Sequence, residues 1–170
     1  MYQTVIFNEV QIPLDWFIIY FCIENDFFNP NVIDEYLMQK IDAGNILSND
    51  ESSLLLLDGS NKETVLNALN KFSELSKNFD ENILIAKEKT KFAIISYLRK
   101  HENNLSILFD EIDNLYAKLD YPEDMENFVS YMPVDENISK NFQNNKDFEL
   151  NMLKNIDMFL SSKSTLSTKA

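Results

Sequence analysis

Two pairs of carboxylates have the spacing best suited to chemistry in this sequence. Asp110 and Asp113 form one pair, and Glu123 and Glu126 form the other. On a helix, side chains three residues apart project from the same face. Two such pairs facing each other could bind Mg²⁺ or Mn²⁺, as a metal-dependent nucleotide pyrophosphohydrolase would require. Acidic helices also carry such pairs without binding metal, and these four side chains are expected to be exposed. The hydrolase is therefore kept as the alternative function.

The other reactive side chains fit structural roles better than catalytic ones. Cys22 lies in the most apolar stretch of the chain and is expected to be a small buried hydrophobe. Trp16, in the same stretch, is expected in the core. His101 follows two basic residues and is expected to stabilise the C-terminus of a helix. The lysine-rich run Lys87–Lys91 is interpreted as the solvated middle of that helix. We therefore predict no catalytic residue, no metal site and no cofactor.

The composition excludes several classes of protein. The chain has 170 residues, 15 Lys and Arg against 28 Asp and Glu, and a net charge of −13. This balance argues against nucleic-acid binding, which needs clustered basic residues. With only two glycines, one histidine and one cysteine, the sequence has no glycine-rich phosphate loop, internal disulfide, Cys-based zinc site or His-Glu-x-x-His motif.

Helical periodicity, interrupted by helix-breaking residues, extends over nearly the whole chain. Asn61 has the position of an N-cap, while Gly44 and Pro122 have positions typical of helix ends. We predict an all-α fold with about seven or eight helices, including one at 123–131, and a possible short strand at residues 4–7. We expect one domain over residues 1–160, followed by a polar C-terminal tail over residues 161–170.

Acidic residues are concentrated in two blocks. Residues 1–60 contain ten acids and one base, and residues 109–136 contain nine acids and one base. A surface of one charge sign accelerates association with an oppositely charged partner and helps to select it. The second block is the predicted partner-binding surface, with the acids Asp110, Glu111, Asp113, Asp120, Glu123, Asp124, Glu126, Asp135 and Glu136.

Two other interpretations of the acidic blocks remain open at this point. The same composition is typical of a solvated face that keeps a protein soluble. The interface could also lie in the first block, around the acids Asp15, Glu24, Asp26, Asp34 and Glu35.

Nothing in the sequence predicts export or membrane insertion. No basic residue precedes the first apolar run, as a secretory signal would require. The apolar stretch Trp16–Ile23 is far shorter than the roughly 20 residues that span a bilayer. A cytoplasmic protein with no membrane partner is expected.

One segment resembles a known protein family. It reads Leu119-Asp120-Tyr121-Pro122-Glu123-Asp124-Met125-Glu126-Asn127-Phe128-Val129-Ser130-Tyr131-Met132-Pro133. The segment is similar to a family of small all-helical bacterial proteins of unknown function, in which a Pro-x-Asp-Trp helix start is also common. Pro13-Leu14-Asp15-Trp16 matches that start, whereas Lys91-Phe92 stands where the family tends to have Lys-Trp.

The resemblance implies a function without implying catalytic residues. Some members of the family resemble immunity proteins encoded beside secreted polymorphic toxins, including contact-dependent growth inhibition systems. Many such toxins are basic nucleases, which an acidic protein could block. The expected partner is therefore a cognate toxin C-terminal domain, such as a tRNase, and a standalone adaptor is a further alternative. The motif also has a structural interpretation, in which Tyr121, Phe128, Tyr131 and Met132 pack the short helix onto the preceding one.

Overall fold

The computed structural model describes residues 1–57, 59, 61–133, 139, 142 and 144–167. These residues form eight α-helices and two short 3-10 helices, which confirms the predicted all-α class and helix number. The α-helices are α1 (Val5–Glu9), α2 (Trp16–Glu24), α3 (Val32–Asp42), α4 (Asn49–Leu54), α5 (Lys62–Leu69), α6 (Phe79–His101), α7 (Leu105–Lys118) and α8 (Asn145–Ser162). The 3-10 helices are Glu123–Phe128 and Ser164–Leu166.

The predicted strand at residues 4–7 is wrong, because these residues lead into α1. The amide of Ile6 donates to the carbonyl of Gln3, and that of Phe7 donates to Thr4, at 3.3 and 3.1 Å. A strand needs a neighbouring strand to satisfy its backbone groups, and the described residues contain none. A helical turn satisfies these groups locally.

Several helix ends follow the predicted capping residues. The Asn61 side chain accepts a hydrogen bond from the Thr64 amide at 2.9 Å and begins α5. Gly44, with φ of +81°, ends α3. Asp15 begins α2 by accepting from the Ile18 amide at 2.8 Å, two residues after the predicted start at Pro13.

The described residues fall into two compact units. The first comprises residues 1–8 and 13–90, and the second comprises residues 9–12 together with the chain from 91 onward. The boundary at Thr90 and Lys91 lies inside α6. The prediction of one domain over 1–160 with a tail over 161–170 stays a prediction, although α8 extends to Ser162.

The first unit is built around α2. All the residues of this helix except Phe17 and Glu24 are buried, as expected for a helix that is apolar on nearly every face. The buried indole of Trp16 contacts the rings of Tyr36 and Phe72 edge to face, at centroid distances of 4.9 and 5.2 Å. The expectation that Trp16 and Cys22 are core residues is confirmed.

The second unit contains α7, both 3-10 helices, α8 and the C-terminal half of α6. The apolar stripe of α7, including Leu108, Ile112 and Leu115, is buried. The first 3-10 helix packs on α8, where the Phe128 and Phe159 rings lie 5.2 Å apart. Within the described ranges, no helix is both long enough and apolar enough to cross a membrane.

Candidate partner-binding surface

The acids of α7 and of the following corner lie mainly outside the core. Asp110, Glu111, Asp120, Glu123 and Glu126 are exposed. On α7 the apolar residues occupy the buried side, so the acids at intervening positions must point away from it. Asp135 and Glu136, the last two acids of the predicted surface, lie outside the described residues.

Asp113 is half-buried and holds the backbone after the first 3-10 helix. Its carboxylate accepts a hydrogen bond from the Ser130 amide at 2.9 Å and another from the Ser130 hydroxyl. The side-chain amide of Asn155 also donates to the carbonyl of Asn127, at 2.6 Å. These two contacts satisfy backbone groups that a longer helix would use internally. They explain why the helix predicted at 123–131 is a 3-10 helix that ends at Phe128.

Asp124 is the counterion of a buried lysine. Both of its carboxylate oxygens lie 2.8 Å from the Lys91 ammonium, and Lys163 approaches one of them to 3.1 Å. The Lys91 side chain is only 1% exposed. Burial raises the pKa of Asp124, but hydrogen bonds from the two lysines outweigh it and leave the pKa below its ordinary value. The interpretation of Lys87–Lys91 as a solvated helix middle is therefore wrong at Lys91.

Four exposed acids of the predicted surface have unengaged side chains. Within the described part of the chain, the carboxylates of Asp110, Asp120, Glu123 and Glu126 accept no hydrogen bond and form no ion pair. An unpaired carboxylate keeps its full charge and its acceptor sites for another molecule. Among the described acids of the second block, these four have wholly unengaged carboxylates, whereas Asp113 and Asp124 already make internal contacts.

Three tyrosines form a cluster beside these acids, which sequence reasoning did not single out as a binding feature. Tyr116 of α7 is buried, and the rings of Tyr121 and Tyr131 lie 5.3 and 6.2 Å from it. Tyr121 and Tyr131 are each 58% exposed. The motif's structural interpretation is thus incomplete: these two rings contact α7 but keep more than half of their surface in solvent. Phe128 is buried against α8 instead.

The turn that ends α7 positions Tyr121. The amide of Tyr121 donates to the carbonyl of Tyr116 at 3.0 Å, and that of Asp120 donates to Ala117 at 3.2 Å. This is the Schellman pattern, which normally has glycine where Asp120 stands. Asp120 and Tyr121 have φ of +60° and +54°, so two consecutive non-glycine residues are in the left-handed region. Their side chains are therefore displayed in a conformation that the chain adopts at an energetic cost.

Burial and nearby carboxylates both raise the pKa of two tyrosine hydroxyls in the cluster. Burial and then the negative charge of Glu126 raise the pKa of Tyr116. Burial and then the charge of Asp113 raise the pKa of Tyr131. The hydroxyls of Tyr116 and Tyr131 therefore keep their protons at neutral pH and can donate hydrogen bonds.

Four of the five acids singled out in the first block have partners in the first unit. Asp26 pairs with Lys62 at 2.6 Å, and Asp15 pairs with Lys89 at 3.4 Å. Glu35 accepts from the Thr4 hydroxyl at 2.6 Å, and Glu24 accepts from Tyr20 at 3.4 Å. The fifth, Asp34, is exposed, and within the described residues its carboxylate accepts no hydrogen bond and forms no ion pair, so the first block also offers an unengaged acid.

The remaining candidate groups have local partners. Burial raises the pKa of the Cys22 thiol to about 12, and the sulfur lies 3.4 Å from the Thr90 hydroxyl. His101 is the last residue of α6, as its predicted role requires, and its Nε2 lies 2.8 Å from a carboxylate oxygen of Glu9. Among the described residues, no three His, Cys, Asp or Glu side chains come together in a group that could hold a metal ion.

Comparison with known proteins places the chain in a family. A family model described as an uncharacterized protein conserved in bacteria (DUF2247) matches residues 5–164. The chain belongs to this family. The match begins in α1 and ends in the second 3-10 helix, so the matched region of this chain contains the tyrosine cluster and the acids around it. The predicted membership in a bacterial family of unknown function is confirmed. No curated protein and no solved structure gave a significant match.

Proposed function

We propose that the chain is an immunity protein, which binds one cognate secreted toxin domain in the bacterial cytoplasm and neutralises it. The observation that supports this most directly is the set of exposed, unpaired acids Asp110, Asp120, Glu123 and Glu126. Such a surface complements the basic cleft with which a nuclease binds its nucleic-acid substrate. The favoured target is therefore a basic nuclease, such as a tRNase, whose active site the acidic surface would cover.

The proposed mechanism has two steps and needs no catalysis. Long-range attraction between the acidic surface and a basic toxin accelerates the encounter. Some acid–base pairs then lose their water as the surfaces close, which sets the choice of partner because an unmatched buried charge is costly. The unpaired state of the four acids favours both steps, since no internal ion pair has to break first.

A protection assay tests this function. The toxin C-terminal domain encoded by the upstream neighbouring gene is induced in a bacterial host, with and without this protein, and survivors are counted. We expect rescue, a complex that co-purifies, and inhibition of tRNA cleavage by the purified toxin domain. Co-expression of an unrelated acidic protein of similar charge controls for nonspecific neutralisation. Toxicity that this protein fails to relieve would contradict the proposal.

A further inference from the structure

The exposed rings of the tyrosine cluster give the acidic surface an aromatic centre. Interfaces are typically centred on a few large side chains, among which tyrosine and arginine are enriched, with more polar groups around them. Tyr121 and Tyr131 project most of their surface into solvent while their inner edges rest on the buried Tyr116. The cluster therefore offers two ring surfaces on a fixed base.

The backbone at both exposed rings is held in place before any partner arrives. The Schellman hydrogen bonds fix the backbone of Tyr121, and Asp113 fixes Ser130, the residue directly before Tyr131. A residue whose backbone is already ordered loses less conformational entropy on binding. Tyrosine also has few rotatable bonds, which makes it an efficient anchor.

The negative charges near the rings favour a cationic side chain on the partner. Glu126 and Asp113 act electrostatically on the cluster, and the exposed Glu123 is unpaired. A cationic side chain is therefore favoured over the rings. Arginine fits better than lysine because its planar guanidinium stacks on aromatic faces and pairs with carboxylates through two parallel hydrogen bonds. The two hydrogen bonds from Ser130 leave acceptor sites on the Asp113 carboxylate for such a pair.

We propose that Tyr121 and Tyr131 form the anchoring site for an arginine side chain of the basic protein partner, with the neighbouring carboxylates as its counterions. This inference rests on the proposed function, because it names the contact by which the acidic surface would hold its toxin.

The first test uses short peptides and needs no toxin. Protein labelled with ¹³C in its tyrosine rings is titrated with blocked Arg-Gly-Arg, Lys-Gly-Lys and citrulline-Gly-citrulline peptides. Tyr121→Phe and Tyr131→Phe assign the two resonances. We expect both resonances to move most with the arginine peptide, less with the lysine peptide and not with citrulline, while Tyr36 in the first unit stays unmoved. Equal shifts with arginine and lysine, or no shift at Tyr121 and Tyr131, would overturn the proposal.

The second test measures affinity for the toxin domain used in the protection assay. Replacing both Tyr121 and Tyr131 by Ala should weaken binding at least about tenfold, mainly through faster dissociation. The double Phe variant should stay within about threefold of the native protein, because it keeps the rings. Circular dichroism confirms folding of both variants. Native affinity in the Ala variant, with rescue of the host intact, would refute the anchoring site but leave the immunity function standing. Loss of rescue by the native protein would refute the function itself.

Discussion

The buried ammonium of Lys91 lies 2.8 Å from each carboxylate oxygen of Asp124, which is 33 residues further along the chain. The same ammonium lies 5.8 Å from the centre of the Phe159 ring of α8. This arrangement joins α6, the first 3-10 helix and α8 within the second unit. Asp124 therefore stabilises the fold, and a loss of toxin binding on its substitution would not by itself show that it contacts the toxin.

We expect substitution of Lys91 and substitution of Asp124 to lower the free energy of unfolding by different amounts. Asp124→Asn leaves a buried ammonium without its main counterion, and we expect it to lower the free energy of unfolding by about 2–4 kcal/mol. Lys91→Met keeps the apolar stem and leaves a carboxylate that still has Lys163 and water. Its cost should be below about 1.5 kcal/mol. Urea denaturation at pH 7 of both single variants and the double variant measures these values. Equal costs for the two single substitutions would contradict this account.

The burial of Lys91 is a feature that could not be predicted from the sequence. Periodicity and capping rules concern neighbours within about four residues. On that scale they predicted helix ends correctly. The N-cap at Asn61 and the end of α3 at Gly44 are where they were predicted. Lys91 follows the charged residues Lys87, Glu88 and Lys89, so it resembles a solvated residue. Its burial depends on Asp124 and Phe159, and no local pattern indicates such distant partners.

The same limit applies to the candidate surface. The exposure of Asp110 and Glu111 follows from their positions between the apolar residues of α7, and the sequence pattern is sufficient to predict it. The internal role of Asp113 was not predictable, because it depends on Ser130 reaching back across a turn. The exposed tyrosine rings were missed for the opposite reason: an aromatic residue is first expected to pack in the core.

The hydrogen bonds of Glu51 predict that the protein loses stability at low pH. Its buried carboxylate accepts hydrogen bonds from Lys40, from the Ser48 amide at 2.8 Å and from the Trp16 indole at 3.0 Å. Burial raises the pKa of Glu51, but these donors outweigh it and lower the pKa from 4.5 to about 2. Because the folded-state value lies below the unfolded one, the stabilisation is present above about pH 4.5 and is lost as the pH falls toward 2.

The variant Glu51→Gln tests this pH dependence. It should lower the free energy of unfolding at pH 7 by roughly 2 kcal/mol. The difference from the native protein should shrink steadily between pH 4.5 and 2, the interval between the two pKa values. Urea midpoints measured across pH 2–7 provide the comparison. The exposed Glu74 supplies a matched control, since Glu74→Gln should leave stability at pH 7 unchanged. A Glu51→Gln deficit that stayed constant with pH would contradict the assignment.

The backbone conformation of Asp120 predicts that a substitution within the candidate surface stabilises the protein. Its φ of +60° favours glycine, and its carboxylate lies just past the C-terminus of α7, where negative charge is unfavourable. Asp120→Gly should raise the free energy of unfolding by about 0.5–1 kcal/mol. Asp120→Asn removes the charge but keeps a side chain, and should gain only about 0.3 kcal/mol. Thermal unfolding of both variants separates the conformational effect from the charge effect. A glycine variant no more stable than the Asn variant would show that the left-handed backbone costs nothing here.

Charge reversal tests whether the unpaired acids of the second unit contact the toxin. In one variant Asp110, Glu123 and Glu126 are replaced by Lys. In a matched control the exposed acids Asp42, Glu63 and Glu74 of the first unit are replaced by Lys, which changes the net charge equally.

We expect the first variant to bind the toxin domain at least about 100-fold more weakly at 50 mM salt, and its affinity to depend much less on salt. The control should retain most of its affinity and the steep salt dependence of the native protein, because screening acts mainly on charges near the contact. Association and dissociation rates are measured from 50 to 500 mM NaCl for the native protein and for both variants. They show which set of acids contributes to binding. Equal weakening of the two variants would mean that net charge alone drives association. Weakening confined to the control would place the interface on the first unit.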